Sequence, residues 1–345
     1  MRAVVVGGGP VGCAVTGLLA AHGDEPVLVT RSPERRRELL DRGFVQLRGD
    51  RTEKVRLRQV ETVMEAAREA DLVFVCVQAA GHEAVARELA PHLTDRQTIL
   101  VLSGLAGSLV CARLWGRRGV LLGETTVPPC SARLLDDGAV QVRMRSQLRA
   151  AALPARRTPE LRAALPSWLT LRPAAHVLDA ALHHPNLIVH PIPMLLNYAA
   201  IERAGGALSL MNEGMTARTV AAMDAHDAER VAVLRGLGVE ALPLDEVYRE
   251  FGGSPEVYRS PGEPMGIRDR IHWRYLDEDV PFGAVLLASV GRAVGVPTPI
   301  SDAVIRMASV LRQTDFWARG RTLVRLGLSG LSIPALRARL VEGTT

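Results

Sequence analysis

Polar and apolar positions change their rhythm midway along the chain. In the first half, short apolar runs alternate with amphipathic stretches. An apolar strand at residues 3–6 leads into Gly7-Gly8-Gly9-Pro10-Val11-Gly12, then into a helix rich in alanine and leucine through Ala21. Gly23 closes that helix and residues 26–30 read as a second strand. A helix is expected at 61–69. Residues 72–77 form an unbroken apolar run, the pattern of a strand buried on both faces. A loop at 78–82, a helix to Leu93 and strands at 98–102 and 120–123 continue the alternation, which predicts a parallel sheet covered by helices. From Cys130 to Pro173 the pattern loosens. Short strands at 140–143 and 148–153 and a helix at 159–165 are expected to extend the sheet at one edge.

In the second half the period becomes helical. Helices are expected at 195–204, ending at Gly205-Gly206, and at 216–237, ending at Gly238. Others are expected at 244–251, at 282–294, and at 301–313 with Ser301 as cap. A Gly/Ser/Pro-rich stretch spans 252–266. The chain therefore reads as an α/β domain over 1–182 followed by an all-α domain over 183–345, with the active site expected in a cleft between them.

Gly7 to Gly12 is Gly-x-Gly-x-x-Gly with a strand before it, a helix after it and a second strand close behind, the setting that gives the motif meaning. Gly7 permits the tight turn, Gly9 lets the backbone approach a pyrophosphate, and Gly12 lets helix and strand pack closely. With Pro10 and Val11 they open a helix whose amides suit phosphate. This is a doubly wound, Rossmann-type dinucleotide site. The second strand ends in Thr30-Arg31-Ser32, without the acid that would hold the ribose diol of NAD. Arg31 and the Ser32 hydroxyl offer donors to a 2′-phosphate, so NADP(H) is expected over NAD(H). Arg35 and Arg36 are expected on the solvated surface. Gln78, Ala79, Glu124 and Thr125 lie at strand ends on the same edge and are candidates to flank the nicotinamide. His82 reads as a helix-start residue.

Composition narrows the class. Of the 345 residues, 48% are hydrophobic, but no apolar run is long enough for a membrane span. The chain enters a strand at Ala3 with no leader-like pattern, so a cytoplasmic location is expected. The formal net charge is +5, with Lys54 the single lysine. Basic residues are interleaved with acids and aromatics are scarce, which argues against a nucleic-acid surface; an anionic cofactor and anionic substrates account for the excess. Cys13, Cys76, Cys111 and Cys130 are far apart without metal-ligand spacing, so reduced thiols and no metal are expected.

Two further stretches carry candidate chemistry. Residues 183–197 hold three of the nine histidines, and an apolar trio delivers His190 to Pro191 and Pro193, which restrict the backbone. A buried histidine at a helix start is the ordinary account of such a residue. Residues 274–283 place Arg274 five residues before Asp279 at a helix start, where acids commonly complement the helix dipole. That account suffices for Asp277 and Glu278.

The ordered series resembles the opine dehydrogenases, the family of octopine and nopaline dehydrogenases. It comprises the Gly7–Gly12 loop, Glu124-Thr125-Thr126 with Pro128 and Arg133, and His190-Pro191 with Asn197. It continues through Asn212-Glu213-Gly214-Met215-Thr216, Asp227-Ala228-Glu229-Arg230, residues 274–281, residues 295–299 and residues 315–326. The resemblance implies NAD(P)H-dependent reduction of the imine between an amine and a 2-oxo acid. It places the catalytic set on His190, Arg274 and Asp279, with Arg274, Asn197 and Asn212 as candidates to bind substrate. Relatives carry a tyrosine before the Glu213-Gly214 pair where this chain has Met211-Asn212, which puts the familiar amino acid substrates in question. Histidine suits the proton transfers, a carboxylate on its far nitrogen fixes the tautomer, and an arginine fork holds a planar carboxylate.

Ketopantoate reductases and 3-hydroxyacid dehydrogenases share this architecture, but use a lysine in the second domain that is absent here. A non-catalytic NADP(H) sensor would have no need of the His-Arg-Asp set. A homodimer through the apolar helices after Phe282 is compatible with the pattern, as is their use in the core.

Overall fold

The computed structural model describes all residues except 58, 63, 117, 118, 206, 207, 260–268, 344 and 345; of 269–272 it describes the backbone alone. The chain forms two compact units, one of Met1–Ala180 with the chain's last residues from Leu340 on, the other of Ala181–Arg339.

The first unit is built on an eight-stranded sheet. Its strands are β1 (Ala3–Val6), β2 (Val27–Val29), β5 (Val60–Glu61), β6 (Leu72–Val75), β7 (Thr98–Val101), β8 (Leu121–Thr125), β11 (Leu148–Leu153) and β12 (Leu171–Pro173), in the order β12-β11-β8-β7-β6-β1-β2-β5. β1, β2, β5, β6, β7 and β8 are parallel, and β11 runs antiparallel to β8. β1, β6 and β7 are buried at every position, as their uninterrupted apolar runs require. Helices α1 (Pro10–Ala21), α2 (Pro33–Arg42), α3 (His82–Leu89), α4 (Gly107–Trp115) and α5 (Thr158–Ala164) connect or cover the strands.

A second sheet, unforeseen in the sequence, explains the character of α1. Strands β3 (Phe44–Gly49), β4 (Glu53–Arg56), β9 (Cys130–Leu134) and β10 (Val140–Met144) form it in the order β4-β3-β10-β9. The strand expected at 140–143 therefore pairs with β3 and β9 rather than extending the main sheet, and only residues 148–153 do the latter. Helix α1 packs against this sheet as well as against β1, and its residues are buried without a break from Gly12 to Leu19. A helix apolar all round belongs between two layers. Gly17 serves that contact: a Cβ there would sit 3.1 Å from Leu47. The helix expected at 61–69 is a 3-10 turn, Met64–Glu69.

The second unit is helical. After α6 (Val177–Leu182) come α7 (Asn186–Val189), α8 (Pro191–Leu196), α9 (Tyr198–Arg203), α10 (Ala217–Gly236), α11 (Leu244–Glu250) and α12 (Glu256–Arg259). They are followed by α13 (Asp269–Asp277), a π-helical turn (Val280–Ala284), α14 (Val285–Val294), α15 (Pro299–Leu311), α16 (Phe316–Arg319) and α17 (Ile333–Val341). The helix expected at 195–204 breaks at Asn197, and the stretch 252–266 lies partly outside the described residues. Thr298, not Ser301, caps α15; Ser301 is in its first turn, where the Glu229 carboxylate accepts from Ile300 N (2.6 Å), Ser301 N (2.9 Å) and Ser301 Oγ (2.8 Å). A carboxylate there satisfies orphan amides and complements the dipole.

Arg230, 1% exposed, donates to Asp227 Oδ1 (2.7 Å), Leu182 O (3.3 Å) and Leu242 O (2.7 Å), while Asp227 Oδ2 accepts from Leu244 N (2.8 Å). This pair ties α10 to the end of α6 and the start of α11. The apolar face of α14 (Val285, Leu286, Leu287, Ala288, Val290) is buried within the chain itself, so core packing already uses the helix proposed for a dimer contact. Among the described residues, no helix is long and apolar enough to cross a membrane.

Candidate active site

The candidate dinucleotide site of the first unit is the turn from β1 into α1. Gly7 has φ +126°, and a Cβ on it would lie 2.4 Å from Cys76 O, so only glycine makes this turn. A Cβ on Gly12 would lie 1.7 Å from Gly7 O, so glycine is needed for helix and loop to close on each other. A Cβ on Gly9 would meet nothing within 4 Å. Gly9, the N-cap of α1, offers no side-chain acceptor, and Pro10 fills the first helical position. Gly9 is exposed and Pro10 and Val11 are partly exposed, whereas the helix beyond is buried. The first-turn amides thus face an open cradle bounded by glycine, which fits a dinucleotide pyrophosphate. A concave basin of about 880 Å³, lined by Arg2, Asp24, Glu69 and Asp71 among others, is at the N-terminal ends of the strands. Open parallel sheets bind ligands at the carboxyl ends, and the glycine loop is there.

The charged groups after β2 are arranged differently from expectation. Ser32 caps α2: its Oγ accepts from Arg35 N (3.1 Å) and donates to Glu34 Oε2 (2.8 Å). Arg31, its side chain 46% exposed, lies 3.6 Å from Glu88. Arg35 is not a solvated surface residue. Its Nε donates to Gly8 O (2.9 Å), its Nη2 to Cys13 Sγ (3.6 Å), and its Nη1 is 2.6 Å from Glu38. Thr30 is buried against Gly8, whose Cβ would lie 2.8 Å from Thr30 Oγ1.

Glu124 and Thr125, expected beside the nicotinamide, face inward instead. Glu124 is fully buried and accepts from Ala106 N (2.9 Å), Ser108 N (2.9 Å) and Ser108 Oγ (2.5 Å), capping α4. Thr125 Oγ1 accepts from Ser103 N (3.2 Å) and donates to Val127 O (2.8 Å). Both brace the β7–α4 loop, where Ser103, Leu105 and Ala106 have positive φ. Such strain persists only where the surroundings enforce it and gathers at functional sites. That loop, more than the two side chains, stands at the sheet edge, together with exposed Gln78; Ala79 is buried. His82 opens α3 and is buried, its Nε2 3.3 Å from Val77 O.

The candidate proton-transfer residues are in the helical unit. Buried Leu187, Ile188 and Val189 anchor α7, and His190 sits between α7 and α8. Gly283 lets the π-helical turn pack on α7, since a Cβ there would lie 2.9 Å from Leu187 Cγ. That approach sets Asp279, just before the turn, on the histidine: His190 Nδ1 lies 2.7 Å from Asp279 Oδ2, with side chains 13% and 4% exposed. π-Helical turns often occur at functional sites. Arg274 Nε is 3.5 Å from Glu278 Oε2, makes no hydrogen bond, and belongs to a side chain 41% exposed. Burial pushes the Asp279 carboxyl up to about 8, against the opposing pull of Arg274. Burial, then the Arg274 charge, push the His190 imidazole well down, with Glu278 opposing. Both shifts favour the neutral forms, a protonated carboxyl beside an uncharged imidazole, across the 2.7 Å contact.

Sequence reasoning passed over Tyr275. Its ring stacks on the imidazole, centroids 3.6 Å apart and planes 16° apart. The legible signal was its spacing of four from Asp279, which puts both on one helix face. Asn197 spends its amide on Pro193 O (2.9 Å) and Gly214 O (3.2 Å), a bracing role. Asn212 Oδ1 is buried without a hydrogen bond, and Asn212 N donates to Ser209 Oγ (3.4 Å). His183 and His184 are buried structural residues, accepting from Leu242 N and Asn186 N respectively. Among the described residues, no group of His, Cys, Asp and Glu is arranged to hold a metal.

Comparison with known proteins finds matches over both units. Residues 3–154 match the ketopantoate reductase PanE/ApbA family, and residues 173–312 match the α-helical domain of NAD/NADP octopine/nopaline dehydrogenase. An octopine dehydrogenase solved in complex with NADH and agmatine shares the fold, with a TM-score of 0.76 at 20% identity, covering 100% of this chain and 98% of that one. Yersinopine dehydrogenase with NADP⁺ bound does so at a TM-score of 0.68 and 16% identity, covering 99% and 98%. The opine dehydrogenase of Arthrobacter sp. (strain 1C) is 32% identical over 97% of this chain and 97% of its own. A likeness of that strength, running through both units, places the protein in the opine dehydrogenase family, NAD(P)-dependent oxidoreductases acting on CH–NH bonds.

Proposed function

We propose that the enzyme condenses an amine with a 2-oxo acid and reduces the resulting imine with NADPH. His190 is the proton carrier, Asp279 its partner, and Arg274 the carboxylate clamp. The observation that carries this reading is the 2.7 Å contact of His190 with Asp279, beside an arginine whose Nε has no hydrogen bond.

The residues act in sequence. Arg274 presents a planar fork, mostly free of partners, to the carboxylate of the oxo acid and so orients the carbonyl carbon. The amine adds to that carbon, and water must then leave. In its protonated form the His190–Asp279 pair holds one proton at their contact and one on Nε2, and Nε2 gives its proton to the departing hydroxyl. Loss of that proton leaves Nδ1–H donating to an Asp279 carboxylate, which stabilises the base form and keeps Nε2 as the exchanging nitrogen. A bound nicotinamide supplies the hydride. The orphaned Asn212 oxygen is a candidate acceptor for the amine partner.

The absence of an acid at the end of β2 supports NADPH. The Ser32–Glu34 and Arg31–Glu88 contacts favour a second reading, NADH, because both phosphate donors there have carboxylate neighbours. One experiment separates these readings: oxidation of NADPH and NADH, in parallel, against a panel of amines and 2-oxo acids. Turnover only with both substrates present, and faster with NADPH, is the expected result. Oxidation with an oxo acid alone would identify a hydroxyacid dehydrogenase, and binding without turnover a sensor.

A further inference from the structure

We propose that Tyr275 is a positioning residue that fixes the plane of the His190 imidazole. The proposal rests on the reading of His190 as the proton carrier. A single hydrogen bond at Nδ1 fixes one edge of the imidazole, but leaves the ring free to swing about the line from Nδ1 to Asp279. The Tyr275 ring lies 3.6 Å from the imidazole at 16° and removes that freedom by covering one face.

Both constraints come from one element. Glu278 N donates to Arg274 O (2.9 Å) and Phe282 N to Glu278 O (3.1 Å), so helical geometry runs from α13 through Asp279. Tyr275 and Asp279 therefore share one face, one meeting the flat of the imidazole and the other its edge. Leu276, fully buried, anchors the same turn. Trp273, two residues before Tyr275, is stacked under Arg312 (4.5 Å) and tilted against Tyr198 (5.1 Å), while Arg312 pairs with Asp277 at 3.0 and 2.9 Å. The helix bearing Tyr275 is thus held on both sides of it. With Nδ1 taken and one face covered, Nε2 is the imidazole atom left for exchange.

The test compares Tyr275→Phe with Tyr275→Leu. Phenylalanine keeps the stack and removes only the hydroxyl, so kcat should stay within about threefold of wild type. Leucine should lower kcat by roughly tenfold or more while the KM for the oxo acid changes little, since misorientation of a reacting group acts on the chemical step. Proton NMR of the wild-type enzyme supplies a readout independent of activity. The His190 carbon-bound ring protons, assigned by their loss in His190→Gln, should be shifted upfield by the tyrosine ring current, and should lose that shift in the leucine variant. Unshifted His190 resonances in the wild type would overturn the stack even if the leucine variant failed to fold. Wild-type kcat in Tyr275→Leu, or equal losses in the two variants, would overturn the positioning role. Shifted resonances with an active His190→Gln enzyme would instead overturn His190 as proton carrier.

Discussion

His190 and Asp279, separated by 89 residues in sequence, meet with Nδ1 and Oδ2 2.7 Å apart. The contact joins the start of α8 to the start of the π-helical turn. His190→Ala should lower kcat by roughly a hundredfold or more, the usual cost of losing a positioned acid–base group. Asp279→Asn should do comparable damage by a different route. Its amide donates to Nδ1, so the ring proton must sit on Nε2 and the base form is lost. Steady-state kinetics on both variants, with circular dichroism to confirm folding, checks this. Near wild-type turnover in either would remove that residue from its role.

The same pair predicts the pH dependence. Burial keeps the Asp279 carboxyl protonated up to about 8, so below that its proton is at the His190 contact and the ring proton is on Nε2; above it the carboxylate accepts from Nδ1–H and Nε2 is left as a base. Reductive condensation needs the acid form, so its rate should fall as pH rises through about 8, while the reverse oxidation should rise over the same interval. The profiles of kcat/KM in the two directions should cross. Parallel profiles would show that another group governs proton transfer.

Arg274 should act on binding more than on folding. Its side chain is 41% exposed, with Glu278 at 3.5 Å. Lysine keeps the charge and loses the fork. Arg274→Lys should therefore raise the KM for the oxo acid by about tenfold, the scale of one lost charged hydrogen bond, with an unchanged thermal midpoint. An unchanged KM counts against the clamp.

Two glycines of the dinucleotide loop should separate binding from stability. Gly9→Val places a side chain in open space, so the fold should survive while titration by NAD(P)H fluorescence shows affinity lowered by more than tenfold. Gly12→Ala drives a Cβ to 1.7 Å from Gly7 O and should destabilise the fold itself. Retained affinity in Gly9→Val would move the pyrophosphate elsewhere.

His226 should make the fold acid-sensitive. It is fully buried, its Nε2 3.1 Å from Ser301 Oγ, and burial together with Arg230 lowers its pKa to about 4 from 6.5. The folded state holds it neutral, so its stabilising share is complete above pH 6.5 and is lost as pH falls toward 4. The loss is about 3 kcal/mol at most. His226→Gln should flatten the dependence of the unfolding midpoint on pH between 6.5 and 4. An unchanged slope would assign the acid sensitivity to other groups.

Much of this protein was determined by local sequence. Gly7, Gly9 and Gly12 announce their turn because backbone sterics act over a few residues, and the unbroken apolar runs at β1, β6 and β7 mark central strands because both faces are buried. His190 and the Arg274–Asp279 spacing were legible through an ordered series of motifs. Other features exist only through tertiary structure. The second sheet was hidden because its strands come from two separate stretches, 44–56 and 130–144, and are half-polar where they face solvent. Glu124 read as a cofactor residue because it stands at a strand end, yet its carboxylate turned inward to the amides of α4. Arg35 read as surface, yet bonds Gly8. The sequence supplied a histidine, a tyrosine and an aspartate. Their meeting at one imidazole, edge and face, was decided by the close approach that Gly283 permits between the π-helical turn and α7, a distance no linear pattern encodes.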